Sequence, residues 1–304
     1  MHVVNSFLSR KFVSLFYTKM KISGFTFVRN AQKFDYPVVE AIRSVLPLCD
    51  EMIVSVGNSD DNTLSLVESI GSEKIKIIRS VWDDSLRKGG RVLAVETDKA
   101  FDAVAPDSDW AFYIQADEIV HEKYLPVIKQ AMEQYKDDRQ VEGLLFDYVH
   151  FYGNYHYVGD SREWYRHEIR VIRNNKSIRA YRDAQGFRKD NKKLHVKKIN
   201  ASIYHYGWVK NPYFQQAKID NFMKLYDKNY VVSADELYDY DKVKSLTLFE
   251  GNHPEVMQER INKQDWDFIF DIKRKNFSFK DRILYFIEKT TGKRLFEYKN
   301  YKII

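Results

Sequence analysis

Asp109-Trp110-Ala111-Phe112-Tyr113-Ile114-Gln115-Ala116-Asp117-Glu118 is the stretch whose reading decides the fold. Trp110, Phe112, Tyr113 and Ile114 make a short apolar run rich in β-formers, as a buried strand requires. Two carboxylates stand at its end. A helical pattern follows, with Leu125, Ile128, Met132 and Tyr135 on one face. In α/β sheets, ligands bind outside the carboxyl ends of the strands. Acidic groups there suit Mg²⁺ or Mn²⁺, which prefer hard oxygen ligands. The competing explanation is a solvated helix start, because Asp and Glu favour a first turn.

The flanking sequence repeats the alternation. Lys21–Val28 reads as a strand with a polar end at Arg29-Asn30. Asp35 is expected to cap a helix with Pro37 in its first turn and Val38, Ala41, Ile42 and Val45 on its apolar face. Glu51–Val56 is a second strand, and the turn from Gly57 to Thr63 leads into a helix that Gly71 ends. Ile75–Ile78 is a third strand, and Gly89-Gly90 precedes a helix through Leu93, Ala94, Thr97, Ala100 and Phe101. Strand–helix alternation predicts a mixed, mostly parallel sheet flanked by crossover helices.

Beyond Val141 the texture changes. Gly143–Phe151 and Glu168–Ile172 read as strands, Ile178–Tyr181 as a short one, and Leu194–Ile199 with Ser202–His205 as a late pair. From Pro212 the chain reads as helical and polar, with Phe222, Leu225 and Tyr226 on one helical face and Val243, Leu246 and Phe249 on another. The expected organisation is an extension over 1–19, an α/β domain over 20–211 and a helical C-terminal extension over 212–304.

Composition supports a packed core: 304 residues, 44% hydrophobic and 15% aromatic. The single cysteine, Cys49, excludes an internal disulfide and fits a reducing compartment. No apolar run reaches the ~20 residues of a membrane span. Met1 to Lys19 lacks the long apolar core and small-residue cleavage site of a signal peptide. A cytoplasmic location is therefore expected. The net charge of +6 is uneven: 272–304 holds ten Lys/Arg against three Asp/Glu, and 162–198 holds thirteen against four. Such blocks suit anionic partners: a nucleotide sugar, a lipid phosphate, a membrane surface or nucleic acid.

Several chemistries lack their motifs. There is no P-loop, no GxGxxG after the first strand, no Cys-x-x-Cys or His-x-x-x-His zinc pair and no GxSxG elbow. What remains is a set of polar strand ends: Arg29-Asn30, Ser59-Asp60-Asp61, Gly90-Arg91, Gln115–Glu118 and the later His205.

In this order and at these spacings, the strand ends resemble a family 2-type glycosyltransferase with the GT-A fold, from about Ile22 to Pro212. Phe27-Val28-Arg29-Asn30 closes the first strand. The run Glu51–Thr63 is similar to the family stretch in which a strand meets a Gly-Ser turn and Asp-x-Thr. Ile114-Gln115-Ala116-Asp117-Glu118 resembles the strand ending in the Asp-x-Asp motif. The resemblance implies inverting transfer of a sugar, typically a hexose, from a nucleotide donor to a glycan or lipid-linked acceptor, in surface polysaccharide or glycan assembly. It implies a divalent cation, Mn²⁺ or Mg²⁺, on Asp117, with His205 as a further ligand or a diphosphate contact. Phe27, Val28, Val56 and Ala116 would line the nucleotide pocket. Arg29, Asn30 and Arg91 would contact phosphate or base, and Asp61 either contacts the base or caps a helix. Val56 stands where the family usually has a base-reading Asp, and Gln115 where it has the first metal-motif Asp. UDP is therefore the donor only by default, and Gln115 is left to a ribose hydroxyl or a weak amide contact.

An inverting transfer needs a general base near the acceptor hydroxyl. Asp183, among Arg179, Arg182 and Arg188, is the first expectation and Glu168 the second. The C-terminal segment Phe279–Lys289 is amphipathic and basic. It docks on the core or, as the secondary expectation, lies on the anionic inner face of a membrane. The alternative classes are a basic nucleic-acid-binding protein, a degenerate nucleotide-binding protein and a nucleotidyltransferase. The first is disfavoured because strand-end acids repel phosphates, so no nucleic acid is expected.

Overall fold

A computed structural model describes residues 19–304 except Arg87, Leu225, Tyr226, Lys228 and 233–236. The extension read over 1–19 lies outside the described residues except for Lys19, as do the helical positions Leu225 and Tyr226.

Strands β1 (Ile22–Val28), β2 (Glu51–Gly57), β3 (Ile75–Ser80) and β4 (Trp110–Tyr113) pair in parallel, in the order β3-β2-β1-β4. Helices α1 (Val38–Val45), α2 (Thr63–Glu68) and α3 (Arg91–Asp102) connect them. The apolar runs of β1, β2 and β4 are buried on both faces, as a sheet covered by crossover helices requires. At Gly24 in β1, a Cβ would lie 2.4 Å from the Met52 sulfur and 2.9 Å from the Cys49 sulfur, so glycine lets these strands close up. Burial pushes the Cys49 thiol up to about 12, which leaves it a packing residue.

After β4 come β5 (Glu118–Val120), α4 (Leu125–Gln134), β6 (Gly143–Tyr152), β7 (Asn154–Gly159) and β8 (His167–Arg173). β8 is antiparallel to β4 and β6, so the sheet turns mixed beyond β4. β9 (Ile178–Tyr181), β10 (Gly186–Lys189) and β11 (Lys192–Lys193) form a small separate sheet. β12 (His195–Trp208) pairs parallel to β6 and antiparallel to β5. The α/β class and the mixed sheet flanked by helices, parallel through its N-terminal half, are those expected from the sequence.

Local readings change in several places. Asp35 does not cap α1: Pro37 is the N-cap residue, and the Asp35 carboxylate pairs with Arg260 Nη1 at 2.6 Å. No helix starts at Asp117-Glu118, because β5 intervenes and buries Glu118. The late strand pair is one strand, β12, whose register with β6 shifts between Lys198 and Ser202. The chain after Pro212 is only partly helical. It holds α5 (Pro212–Lys224), α6 (Gln258–Asn262) and α7 (Phe279–Thr291), with extended segments between them. The face read for Val243, Leu246 and Phe249 is not helical. Leu246 opens β13 (Leu246–Leu248), which pairs with β7 at the sheet edge, and β14 (Lys302–Ile303) pairs with β12. Among the described residues no helix is long and apolar enough to cross a membrane.

Candidate active site

The polar ends of β1 and β4 open into a cavity of about 520 Å³. Phe27, Arg29, Gln115, Ala116, Asp117 and His205 all lie on its wall, and so does Asp183 from the β9–β10 loop. Five other sequence candidates lie off that wall. Val56 is 4% exposed and belongs to the core. Arg91 is exposed as the first residue of α3. Asn30 and Asp61 hold the loops together: Asn30 Oδ1 accepts from the Asp60 N–H at 2.9 Å, and Asp61 accepts from the Thr63 N–H at 2.9 Å and the Lys33 N–H at 2.8 Å. Asn30 adopts φ +56, a turn conformation that Asn tolerates. Glu168 is buried on β8, where its neighbours include Arg170 at 3.7 Å.

Strand register builds the centre of the site. β12 lies between β5 and β6, so His205 stands opposite Glu118 on one side and His150 on the other. The Asp117 carbonyl accepts the Tyr206 N–H at 2.8 Å, which fixes the acidic turn against β12. Asp117 Oδ2 then stands 3.7 Å from His205 Nε2. Gly207 keeps that place open: a Cβ there would lie 2.5 Å from His205 Nε2 and 2.6 Å from Asp117 Oδ2.

Glu118 is not a second site carboxylate. It is wholly buried, bound in a fork by Nε and Nη2 of Arg170, and it accepts from the Tyr148 hydroxyl. Its Oε2 also accepts the Gln115 N–H at 3.1 Å. Glu118 thereby sets the backbone of the turn that carries Asp117. Gln115 turns its side chain away, donating to the Ala184 carbonyl at 3.3 Å, and so ties the acidic turn to the Asp183 loop.

Lysines and rings outside the sequence reading complete the site. Lys218 of α5 donates to Asp117 Oδ2 at 3.0 Å and to the Gly207 carbonyl at 2.8 Å. Burial favours a neutral Asp117, but Lys218 and His205 outweigh it and hold the carboxyl well below the usual range. Lys210 is fully buried, and its Nζ donates to the Phe34 and Asp35 carbonyls at 2.9 and 2.8 Å, which holds the loop that carries the wall residue Phe34. Trp82 packs on Phe27 with centroids 5.7 Å apart, and Arg29 lies over the same indole while pairing with Asp84 at 2.9 Å. Gln215 Oε1 is buried on the wall with no hydrogen-bond partner among the described residues. Helix α5 carries both Lys218 and Gln215, and its helical spacing was readable. The chemistry was not, because a lysine gains meaning here only from the carboxylate it reaches across the fold.

The donor set admits a divalent cation. Asp117 offers a hard oxygen, His205 an imidazole nitrogen, and Gly207 puts no Cβ between them, while the Lys218 ammonium already stands 3.0 Å from the same Asp117 oxygen. Among the described residues no third His, Cys, Asp or Glu joins them, so substrate oxygens would have to complete a shell.

No family model matches the chain, and no curated relative is found. Among solved structures it is similar to TarS of S. aureus, at 14% identity over 67% of this chain and 39% of that one, with a TM-score of 0.36. It is similar to glucosyl-3-phosphoglycerate synthase of Mycobacterium tuberculosis, solved with Mn²⁺, UDP and glucosyl-3-phosphoglycerate, at 19% identity over 44% of this chain and 45% of that one, with a TM-score of 0.30. It is also similar to 4-diphosphocytidyl-2C-methyl-D-erythritol synthase of Anaerococcus prevotii, at 9% identity over 51% of this chain and 70% of that one, with a TM-score of 0.33. The chain spans less than half the length of the first two.

Proposed function

We propose that this chain transfers a sugar from a nucleoside-diphosphate donor to a glycan or lipid-linked acceptor, with inversion at the anomeric carbon. The observation that carries the reading is the convergence of Asp117, His205 and Lys218 in one cavity with Asp183. The volume, about 520 Å³, suits a nucleotide sugar.

Asp117 and His205 would hold Mn²⁺ or Mg²⁺, which neutralises the charge of a leaving diphosphate. Lys218, already 3.0 Å from Asp117, donates to the same phosphate oxygens and adds fixed positive charge where negative charge develops. The Phe27–Trp82 wall offers a stacking face for the base, with Arg29 as a planar donor beside it. The unpartnered Gln215 oxygen accepts from a ribose or sugar hydroxyl. Asp183 takes the proton of the acceptor hydroxyl as that oxygen attacks the anomeric carbon. Glu168 is the poorer base. Burial raises its pKa to about 8, with Glu118 and Asp183 adding to the rise and Arg170 opposing it, so it is mostly protonated at neutral pH.

Calorimetric titration of UDP and GDP, with and without Mn²⁺, into the wild type and Asp117→Ala tests the reading. Metal-dependent binding of one nucleotide, lost in the variant, is expected and names the base. Absence of binding for both nucleotides with metal present would sink it.

A further inference from the structure

Helix α7 turns its apolar side outward. Phe279 is 82% exposed, Ile283 46% and Phe286 67%, and no residue of the helix is buried. At about 100° per residue these three side chains share one stripe, about 60° wide. The opposite side docks by polar contacts. Tyr285 donates to Asp160 Oδ2 at 2.6 Å, and Glu288 pairs with Arg162 at 2.7 Å and Arg294 at 3.3 Å. Lys289 pairs with Asp160 at 2.6 Å, and Asp281 stands 3.8 Å from Lys244. An amphipathic helix that settled on its own core would do the reverse, burying its apolar stripe. Core docking, the first sequence expectation, therefore holds for the polar side and for the half-buried Leu284 and Ile287, but not for the exposed stripe.

The surroundings say what the stripe meets. On the helical wheel Lys280 flanks it on one edge and Arg282 on the other. Neither makes an ion pair among the described residues, nor do Lys293 and Lys299 just beyond. Leu295 and Phe296 follow, 41% and 89% exposed, with Phe296 held at φ +58. A second copy of the chain would bring cation against cation along this edge. An anionic bilayer surface offers acyl chains to the stripe and phosphates to its flanks.

We propose that α7 and the turn after it dock on an anionic membrane surface, with Phe279, Ile283 and Phe286 entering the headgroup–acyl boundary and Lys280 and Arg282 pairing with lipid phosphates. The inference does not rest on the transferase reading. It does bear on it, because α7 is held by Asp160 and Arg162, a few residues before Tyr165 on the cavity wall.

Co-sedimentation of the full chain with phosphatidylcholine vesicles, with and without about one-third phosphatidylglycerol, tests it. Binding is expected only to the anionic vesicles. Each cation neutralised in Lys280→Gln and Arg282→Gln should weaken it about fivefold. The triple change Phe279→Ser, Ile283→Ser, Phe286→Ser should remove it without lowering the melting temperature, because these side chains are exposed. Equal binding to both vesicle types, no binding to either, or an unaffected triple variant would overturn the proposal. So would a dimer, seen by sedimentation velocity, that the triple variant dissolves.

Discussion

His150 Nδ1 and His205 Nδ1 face each other at 3.3 Å on neighbouring parallel strands, and the other nitrogen of His150, Nε2, lies 3.0 Å from the Tyr165 carbonyl. A carbonyl only accepts, so Nε2 of His150 carries the proton. A neutral His150 then offers a lone pair at Nδ1, and His205 donates its Nδ1–H to it. In a neutral His205 this leaves the lone pair on Nε2, turned towards Asp117. With a cation between them, the chain Tyr165–His150–His205 would present an electron pair to it; without one, a His205 protonated on both nitrogens donates from Nε2 and helps to hold the Asp117 carboxyl down. His150→Phe removes the acceptor. We expect it to weaken Mn²⁺ binding about 10- to 100-fold in calorimetry. The ¹⁵N shifts of the His205 ring should at the same time lose the Nδ1–H pattern. Unchanged shifts would show that His150 does not set the tautomer.

Lys218 is the nearest charge partner of Asp117, at 3.0 Å. Lys218→Met keeps the length of the stem and deletes the charge. Nucleoside diphosphate should bind about tenfold or more weakly, and nucleoside without phosphate should bind unchanged. Equal losses for both ligands would assign Lys218 to the shape of the cavity and not to the phosphates.

Glu118 and Arg170 form a buried pair under the acidic turn, with Arg170 1% exposed and Glu118 fully covered. Removing one partner leaves a charge uncompensated in the core. Arg170→Met should lower stability by about 3–5 kcal/mol in urea unfolding. A loss below about 1 kcal/mol would mean that water reaches Glu118 in the variant.

Sequence pattern made the parallel half of the sheet legible because each strand there is a short apolar run ending in polar residues, and α1 carries its core at helical spacing. Asp117 and His205 were legible as chemistry-bearing types beside strand ends. Their meeting depends on β12 inserting between β5 and β6, a long-range pairing that no local signal encodes. Glu118 was misread because it sits next to Asp117 in sequence but points to Arg170, 52 residues away, as alternate residues at a strand start do. The segment after Pro212 misled for a related reason: Val243, Leu246 and Phe249 fit a period of three, yet Leu246 is held by edge pairing with β7. Short apolar spacing does not separate helix from strand when tertiary contacts decide.

Asp183 lies on the cavity wall in the loop that Gln115 ties to the acidic turn. Asp183→Asn keeps the shape and removes the carboxylate proposed as the base. Turnover should fall about 10²- to 10⁴-fold while donor binding by calorimetry stays within about twofold. A matching loss of donor affinity would move Asp183 from proton transfer to donor positioning.

Glu168 gives stability a pH dependence of definite sign. Its ordinary value is 4.5 and burial raises it to about 8 in the folded chain. Between those values the folded state holds a proton that the unfolded state has lost. The stabilisation is therefore complete below about pH 4.5 and drains away as pH rises towards 8. Glu168→Gln imitates the neutral acid and does not titrate. The melting temperature of the wild type should accordingly fall relative to that of the variant between pH 5 and 8, by a few degrees for a chain of this size. Other groups shift both curves alike and cancel in the difference. Parallel curves across that range would show that Glu168 stays ionised in the folded protein. It would then stand as a second negative charge beside Asp183, and the choice of base between the two would reopen.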